Sequence, residues 1–414
     1  MTTGRSMTRR TFVGQTAAAA AIPLLATAST PAAAEAESKA AAEVPVGRKL
    51  RIGVVGLGGR GSWIANLFKQ HPGYEIAAAV DYFEDTANAV GGRLGVPEDK
   101  RFSGLSGYKR ALDSGVDALV LKGIPYFYPE QAAAAIDAGC HVYMAKPFAV
   151  DVPSVFAMQA LAKKATQKKL CLLVDYQLPT DPANQEAKQR IGADALGGLA
   201  HIYSGGTCGP LPDPPVGPTI ENLFRRAWYS HVSLSGDLLL LYDIHIIDGV
   251  TWVIGKRAVA ASGHSRIVRP DPHGDRTDCG GFVFELADGT CWTHSNQLLQ
   301  NNAVMYNLEA DLMGLKATAH IAYSGKVFIR GGPKHYSGET SKGIYADGAK
   351  ANIAEFYRCV TEGDFDNPTP HRSVDGHLTA ILGREAAARK TRLTMDELIK
   401  ENKKLEVDLR GLKT

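Results

Sequence analysis

Apolar and polar positions fall into two regimes along the chain. Residues 49–55 (Lys-Leu-Arg-Ile-Gly-Val-Val) form a short run of the buried-strand type, and Trp63, Ile64, Leu67 and Phe68 then recur at the three-and-four spacing of an amphipathic helix. Further strand-like runs occupy 75–80, 118–121, 141–144 and 170–174, with helical patterns over 130–138 and 152–168. Strands separated by helices predict a parallel, doubly wound α/β sheet. Beyond residue 175 the pattern shortens to strand-length segments at 200–205, 257–263, 281–286, 291–297, 306–313 and 317–322. Ala287-Asp288-Gly289-Thr290 has the composition of a hairpin turn, with Gly289 free to take positive φ. These segments predict an α+β domain with an open, mostly antiparallel sheet and helices on one side. The expected organisation is one domain over 48–174 and a second over 175–414 ending in helices, with irregular stretches at 208–218 and 331–349.

The first 40 residues follow neither pattern. Thr8-Arg9-Arg10-Thr11-Phe12-Val13 precedes an Ala-rich apolar run over 17–28, broken by Pro23, and small-x-small sites follow at 26–28 and 32–34. Basic, apolar and cleavable segments in that order read as a twin-arginine signal peptide. The run is too short for a hydrocarbon core of ~30 Å, and the most apolar later stretch, 238–253, carries Asp243, His245 and Asp248. The expectation is a protein exported folded to the periplasm or beyond, with no membrane insertion after processing.

Composition narrows the chemistry. Of 414 residues, 45% are hydrophobic and 21% charged, which is the make-up of a globular chain rather than a disordered or collagen-like one. Lys plus Arg (46) nearly balances Asp plus Glu (43), and no basic stripe stands out, so nucleic acid is not an expected partner. The six cysteines include no CxxC pair. They are expected to be reduced, mostly buried thiols, and no metal site is expected.

The first candidate chemistry lies between the first strand and its helix, where Gly56-Leu57-Gly58-Gly59-Arg60-Gly61 spells G-x-G-x-x-G. In that setting the glycines serve a tight turn, backbone approach to a pyrophosphate, and close helix–strand packing. The helix N-terminus presents free N–H groups to the phosphates. Asp81 ends the second strand, where a carboxylate accepts from the adenosine ribose hydroxyls and repels a 2′-phosphate. Gly56, Gly58, Gly59, Arg60, Gly61 and Asp81 are therefore the expected dinucleotide contacts, for NAD rather than NADP.

From about residue 48 to the end the chain resembles the glucose–fructose oxidoreductase and inositol dehydrogenase family (Gfo/Idh/MocA). The resemblance rests on the glycine loop, Pro125 with Pro129-Glu130, and Gly139-Cys140-His141-Val142-Tyr143-Met144-Ala145-Lys146-Pro147. Ser235-Gly236-Asp237, the stretch from Asp243 through His245 to Asp248, and Leu378 to Arg384 add to it. It implies that Lys146 bonds the reacting hydroxyl and the cofactor, and that Pro125 lines the cofactor site. It implies His245 as proton acceptor, a role suited to histidine. Two departures stand out: Ala145 replaces the usual Glu before the lysine, and Leu241 replaces a carboxylate four residues before His245. Tyr242 and Asp243 are the nearest polar substitutes and join the expected catalytic set. Asp248 is a candidate partner of His245 across one helical turn and, with Gln177, Tyr126 and Trp228, a candidate substrate contact. A homo-oligomer is also implied.

The resemblance implies hydride transfer between a nicotinamide and a secondary alcohol of a sugar, sugar derivative or cyclitol. Export adds a constraint, since free NAD is a cytoplasmic metabolite: the dinucleotide must be held tightly and recycled on the protein. A cover over the cofactor is therefore expected, from the 208–218 loop or from residues 40–48. A redox-neutral glycoside hydrolase working by oxidation, elimination, hydration and reduction meets the same constraint. A non-catalytic exported sugar-binding protein is the remaining alternative, motivated by the absent carboxylates at 145 and 241.

Overall fold

The computed structural model describes residues 49–211, 213–217, 219–299, 307–338 and 343–414. The signal-peptide reading, residues 40–48 and residue 306 of one expected strand lie outside them. Among the described residues, six parallel strands form the first sheet: β1 (Leu50–Val55), β2 (Tyr74–Asp81), β3 (Arg101–Ser103), β4 (Ala118–Leu121), β5 (His141–Ala145) and β6 (Leu172–Asp175). Their order is β3-β2-β1-β4-β5-β6. The winding reverses between β1 and β4, so a crevice opens at their carboxyl ends, where ligands bind in such sheets.

Helices α1 (Gly59–Gln70), α2 (Glu84–Leu94), α3 (Gly107–Asp113), α4 (Tyr128–Asp137) and α5 (Val152–Gln167) connect these strands. The α5 start follows from its sequence: Asp151 accepts from the Ser154 N–H at 2.9 Å, and Pro153 needs no donor partner in the first turn. On one face of the sheet Ile52, Val54, Val120 and Leu173 pack against Ile64, Ala65 and Phe68 of α1. Ile353, Phe356 and Tyr357 of the helix Ile344–Glu362 complete that layer. The expected irregular stretch to residue 349 is thus partly helical, and this C-terminal helix packs on the N-terminal sheet. Its Gly348 explains the close fit, because a Cβ there would stand 2.6 Å from the Gln177 side chain.

The second sheet has nine strands among the described residues, in the order β14-β13-β12-β11-β7-β10-β9-β8-β15. They are β7 (Leu199–Thr207), β8 (Ala258–Arg266), β9 (Cys279–Leu286), β10 (Cys291–Gln297), β11 (Glu309–Gly314), β12 (Thr318–Ala322), β13 (Phe328–Arg330), β14 (Tyr336–Ser337) and β15 (Leu393–Thr394). The β7–β10 pair is parallel and the other pairings are antiparallel. The turn joining β9 to β10 has Gly289 at φ 84°, as its composition requires. Helices Ile244–Ile254 and Pro368–Arg389 cover the inner face through Ile246, Ile247, Val250, Leu378, Ile381 and Leu382. The apolar stretch around residue 245 is therefore a core helix. Among the described residues no helix is long and apolar enough to cross a membrane. All six cysteines are free thiols, four of them buried.

Candidate active site

The glycine loop closes the crevice over β1. Gly56 sits at φ +89°, and a Cβ on it would lie 2.4 Å from the Gly123 nitrogen of the β4 loop. A Cβ on Gly61 would lie 1.9 Å from the Gly56 carbonyl oxygen, so the start of α1 packs on the turn that precedes it. Gly58 and Gly59 behave differently: nothing stands within 4 Å of either Cβ position. The first turn of α1 has no side-chain cap and no acidic residue, and Nη1 of Arg60 is buried without a hydrogen-bond partner among the described residues. Open approach, uncapped N–H groups and a donor to spare fit a pyrophosphate. Asp81 accepts from the Leu57 N–H (2.8 Å) and the Phe83 N–H (3.1 Å), tying the loop to the end of β2. Burial raises its pKa, and those two bonds oppose the rise.

Lys146 follows β5 across a cis bond to Pro147. The next residues are pinned from the second domain: the Phe148 N–H donates to His377 Nε2 (3.0 Å), and Phe148 stacks on that imidazole at 3.8 Å. Arg384 donates to the Val150 carbonyl at 2.8 Å. Lys146 Nζ donates to the backbone carbonyl of Leu241 at 2.7 Å, so the main chain there contacts the lysine although the side chain at 241 is apolar. Burial, reinforced by the Arg60 charge, pulls Lys146 down to about 7, with Asp243, Asp175 and Cys208 opposing. His245 is buried on the helix Ile244–Ile254, with its ring centroid 4.5 Å from that of Tyr323 and Nδ1 without a hydrogen-bond partner among the described residues. Burial, then the Lys146 and Arg60 charges, hold it well below the usual histidine range, so it is a neutral imidazole at neutral pH.

Of the two polar neighbours expected to replace a carboxylate at 241, Asp243 is the one whose charge Lys146 feels. Its Oδ2 accepts from Asn296 Nδ2 (2.5 Å) and faces His294 Nε2 (3.3 Å). His294 Nδ1 in turn meets Ser204 Oγ at 2.8 Å, while Trp292 Nε1 donates to that same oxygen. Gly206 makes room for Asp243, since a Cβ there would stand 1.9 Å from Oδ1. The Tyr242 hydroxyl is engaged by protein acceptors. It lies 3.2 Å from the Thr207 carbonyl and 3.0 Å from Asn307 Oδ1, and the Tyr242 ring packs against Cys208, Leu238 and Leu298. The expected catalytic role of Tyr242 is not matched by these contacts.

A buried charge cluster that motif reading missed lies beside Lys146. Lys122, at the end of β4, reaches over the Tyr143 ring (4.6 Å) to Asp175 Oδ2 (2.8 Å) at the end of β6. Arg60 Nη2 approaches the same oxygen at 3.4 Å, its guanidinium lying 4.6 Å over the Tyr345 ring. Gln177 Nε2 (2.6 Å) and Asn352 Nδ2 (3.0 Å) donate to the other oxygen. The Lys122 and Asp175 side chains are 1% and 0% exposed, so each charge depends on its partner. Burial lowers the Lys122 pKa to about 8, against the pull of Asp175. A sequence signal existed: a charged residue ends an apolar strand at both 122 and 175.

The four candidate substrate contacts have surroundings of their own. Gln177 is fully buried, donating to Asp175 and accepting from the Tyr323 hydroxyl at 2.7 Å, so its amide is already committed. Asp248 does not bond His245; its buried carboxylate faces the Arg372 guanidinium at 3.3 Å. Tyr126 and Trp228 each pack, partly buried, against the apolar cluster of Leu223, Phe224, Ala227 and Leu234. Pro125 is buried at the start of the turn Pro125–Phe127 after β4. Glu355, Cys359 and Asp364 lie near one another, but Arg358 binds both carboxylates at 2.7 Å and occupies the group.

Glu221, Arg225 and the C-terminal tail meet at the corner next to Asp81. Tyr82 Oη donates to Glu221 (3.1 Å), and Arg225 forms a two-pronged pair with Asp85 (2.9 and 3.2 Å) while stacking on Phe83. The C-terminal tail adds a backbone bond from Leu105 to the Lys413 carbonyl (2.8 Å) and one from Lys413 to Tyr82 Oη (3.2 Å). Cys208, which opens the 208–218 loop, packs on Leu238 and Leu298.

Residues 50–176 match the family model GFO_IDH_MocA, the NAD-binding Rossmann fold of an oxidoreductase family. That stretch is thus similar to the NAD-binding domain of the Gfo/Idh/MocA oxidoreductases. It is 24% identical over 221 residues to scyllo-inositol 2-dehydrogenase (NAD(+)) of Bacillus subtilis, covering 53% of this chain and 58% of that protein. The match thus spans little more than half the length of that relative. Inositol 2-dehydrogenase 3 of Saccharopolyspora erythraea is 22% identical over 349 residues, 82% of this chain and 93% of that one. Among solved structures, aldose-aldose oxidoreductase of Caulobacter crescentus, complexed with glycerol, superposes with a TM-score of 0.67 at 19% identity. That superposition covers 84% of this chain and all of the other. The domain that carries the glycine loop is accordingly an NAD-binding Rossmann domain, and Lys146, directly after β5, stands at the carboxyl edge of its sheet.

Proposed function

We propose that the protein oxidises a secondary hydroxyl of a sugar, sugar derivative or cyclitol with NAD that it carries out of the cell and recycles on the protein. The observation that carries this reading is the meeting of Lys146 and His245 beside the glycine loop. A lysine drawn to about 7 and a neutral imidazole with a free buried nitrogen form a proton-handling pair. A purely sugar-binding protein has no need of such a pair. The names of the relatives, two inositol dehydrogenases and an aldose-aldose oxidoreductase, support the substrate class and the idea of one sugar oxidised while another is reduced.

When bound, NAD supplies the hydride acceptor or donor. The glycine loop and the N-terminus of α1 would hold its pyrophosphate, and Asp81 its adenosine ribose, which favours NAD over NADP. Lys146 Nζ, anchored on the Leu241 carbonyl, orients the substrate hydroxyl and takes its proton. The resemblance assigns that step to His245, but burial beside two cations makes His245 a weak base, and Lys146 is better matched to neutral pH. His245 then serves as a hydrogen-bonding partner for the same hydroxyl. In the oxidation direction kcat/KM is expected to rise as Lys146 loses its proton, through about pH 7, and to level off above. A profile that falls with pH through this range would assign Lys146 the opposite protonation state.

Retention is assigned here to the clasp at the Asp81 corner, formed by Glu221, Arg225 and the C-terminal tail. Deleting residues 404–414 is expected to speed loss of the dinucleotide during dialysis without changing the sugar preference. An unchanged loss rate would return retention to the segment before residue 49. A homo-oligomer belongs to the same proposal; Val283, Thr293 and Tyr203 form an outward row across β9, β10 and β7 that supports it. The protein as purified, incubated with sugar pairs and with aryl glycosides, separates the readings. Oxidation of one sugar coupled to reduction of another supports the proposal, aglycone release supports the redox-neutral hydrolase, and neither supports a binding protein.

A further inference from the structure

Asp175 receives four donors in a site closed to water, an arrangement more elaborate than a strand end requires. Lys122 and Arg60 balance its charge, and Gln177 and Asn352 fix the plane of its carboxylate. Gln177 is itself held by Tyr323, whose ring packs on His245, so the network runs from the buried carboxylate to the edge of the reaction site. The register of β5 and β6 sets Ala145, the residue before Lys146, directly beside Asp175. Paired residues of adjacent strands send their side chains to the same face of a sheet. Asp175 thus projects from the strand beside β5 on the face of Ala145, Tyr143 and Lys122, where it meets Arg60, and its charge reaches Lys146 one residue past the end of β5.

We propose that Asp175 is a positioning residue for Lys146: it clamps the Arg60 guanidinium against Tyr345 and offsets, from β6, the positive charge that Arg60 directs at the lysine. The inference rests on the role given to Lys146 in the proposed function. The charged and titratable groups around Lys146 are Arg60 on α1, His245 and Asp243 at the helix Ile244–Ile254, Cys208 after β7, His377 on Pro368–Arg389, and Asp175. Burial and then Arg60 disfavour the ammonium form, while Asp243 and then Asp175 favour it. Asp243 is already bonded to Asn296 and set against His294, whereas Asp175 answers Arg60 directly. Loss of Asp175 therefore leaves the Arg60 charge unopposed and frees its guanidinium.

The test reads Lys146 itself. On the purified, dinucleotide-loaded protein, acetylation of Lys146 by acetic anhydride is followed against pH by mass spectrometry, beside the pH profile of sugar oxidation. Asp175→Asn is expected to move the Lys146 midpoint to lower pH by about one unit, the scale of a nearby charge in a partly buried site, and to move the activity limb with it. Because Asp175→Asn leaves Lys122 buried without its counter-ion, Asp175→Asn/Lys122→Met is measured as well. It is expected to fold as the parent does and to show a shift in the same direction, smaller because a buried cation leaves with the carboxylate. Adding Ala145→Glu to that double variant returns a carboxylate to the register partner and is expected to restore the midpoint. A folded variant lacking Asp175 whose midpoint stays at the parent value overturns the proposal, as does a shift that Ala145→Glu leaves uncorrected. If Lys146→Ala still oxidises sugar, the functional reading fails on its own, because the labelling midpoint is independent of turnover.

Discussion

Lys146→Ala is expected to lower kcat/KM for sugar oxidation by roughly a thousand-fold, within the range for loss of a general acid–base group. The fold and the bound dinucleotide should survive. Lys146 Nζ makes one protein hydrogen bond, to the Leu241 carbonyl, and the segment after it is held independently by His377 and Arg384. Removing the ammonium therefore deletes the proton carrier without unpinning the cis Lys146–Pro147 turn. A small primary amine added to the alanine variant should recover part of the rate, and more of it as the pH rises and the free base accumulates. Activity within about threefold of the parent, less than 1 kcal/mol of transition-state stabilisation, would make Lys146 a strand-end anchor and nothing more.

Gly61→Ala should empty the cofactor site. The added Cβ would stand 1.9 Å from the Gly56 carbonyl oxygen, and the turn cannot retreat because Gly56 already abuts the Gly123 backbone. Overpacking of this kind costs about 1–3 kcal/mol, so a Tm several degrees lower and loss of the dinucleotide are expected together. Gly59→Ala is the control: its Cβ meets nothing within 4 Å, so stability should hold while the pyrophosphate is crowded. Thermal unfolding and dinucleotide content after gel filtration read both variants. Parent-like stability and full occupancy in Gly61→Ala would contradict the packing assigned to the loop.

The parts of the site legible in the sequence are those with short-range spacing. Gly56 to Gly61 between a strand and a helix, Asp81 at the next strand end, and Lys146 before Pro147 each occupy a few consecutive positions. The backbone places them at the carboxyl edge as expected. The Lys122–Asp175 cluster was not legible, because its members end two strands separated by β5 and each alone looks like a solvated strand cap. Only the fold brings them over Tyr143 into one dry site. Gln177 and Asp248 were read as substrate contacts because they neighbour motifs, yet burial obliges such groups to find protein partners. Gln177 found Asp175 and Tyr323, and Asp248 found Arg372.

Helix Ile344–Glu362 shows the same limit at the level of the fold. Its apolar positions serve the first sheet while its sequence neighbours serve the second, so reading in chain order assigned it to the wrong layer. The cover at the Asp81 corner combines residues 221, 225 and 413, a grouping that no local pattern announces.

The central claim is that this chain oxidises sugar or cyclitol hydroxyls with a dinucleotide it already holds. Its most direct test is the near-ultraviolet spectrum of the purified, extensively dialysed protein on addition of myo-inositol or an aldose, with no NAD supplied. The account predicts a reduced-nicotinamide band with at least one of these substrates, of amplitude matching one dinucleotide per chain, that a second sugar then discharges and that Lys146→Ala fails to form. A protein that emerges without dinucleotide, and forms no reduced nicotinamide with these substrates even when NAD is added, would contradict it.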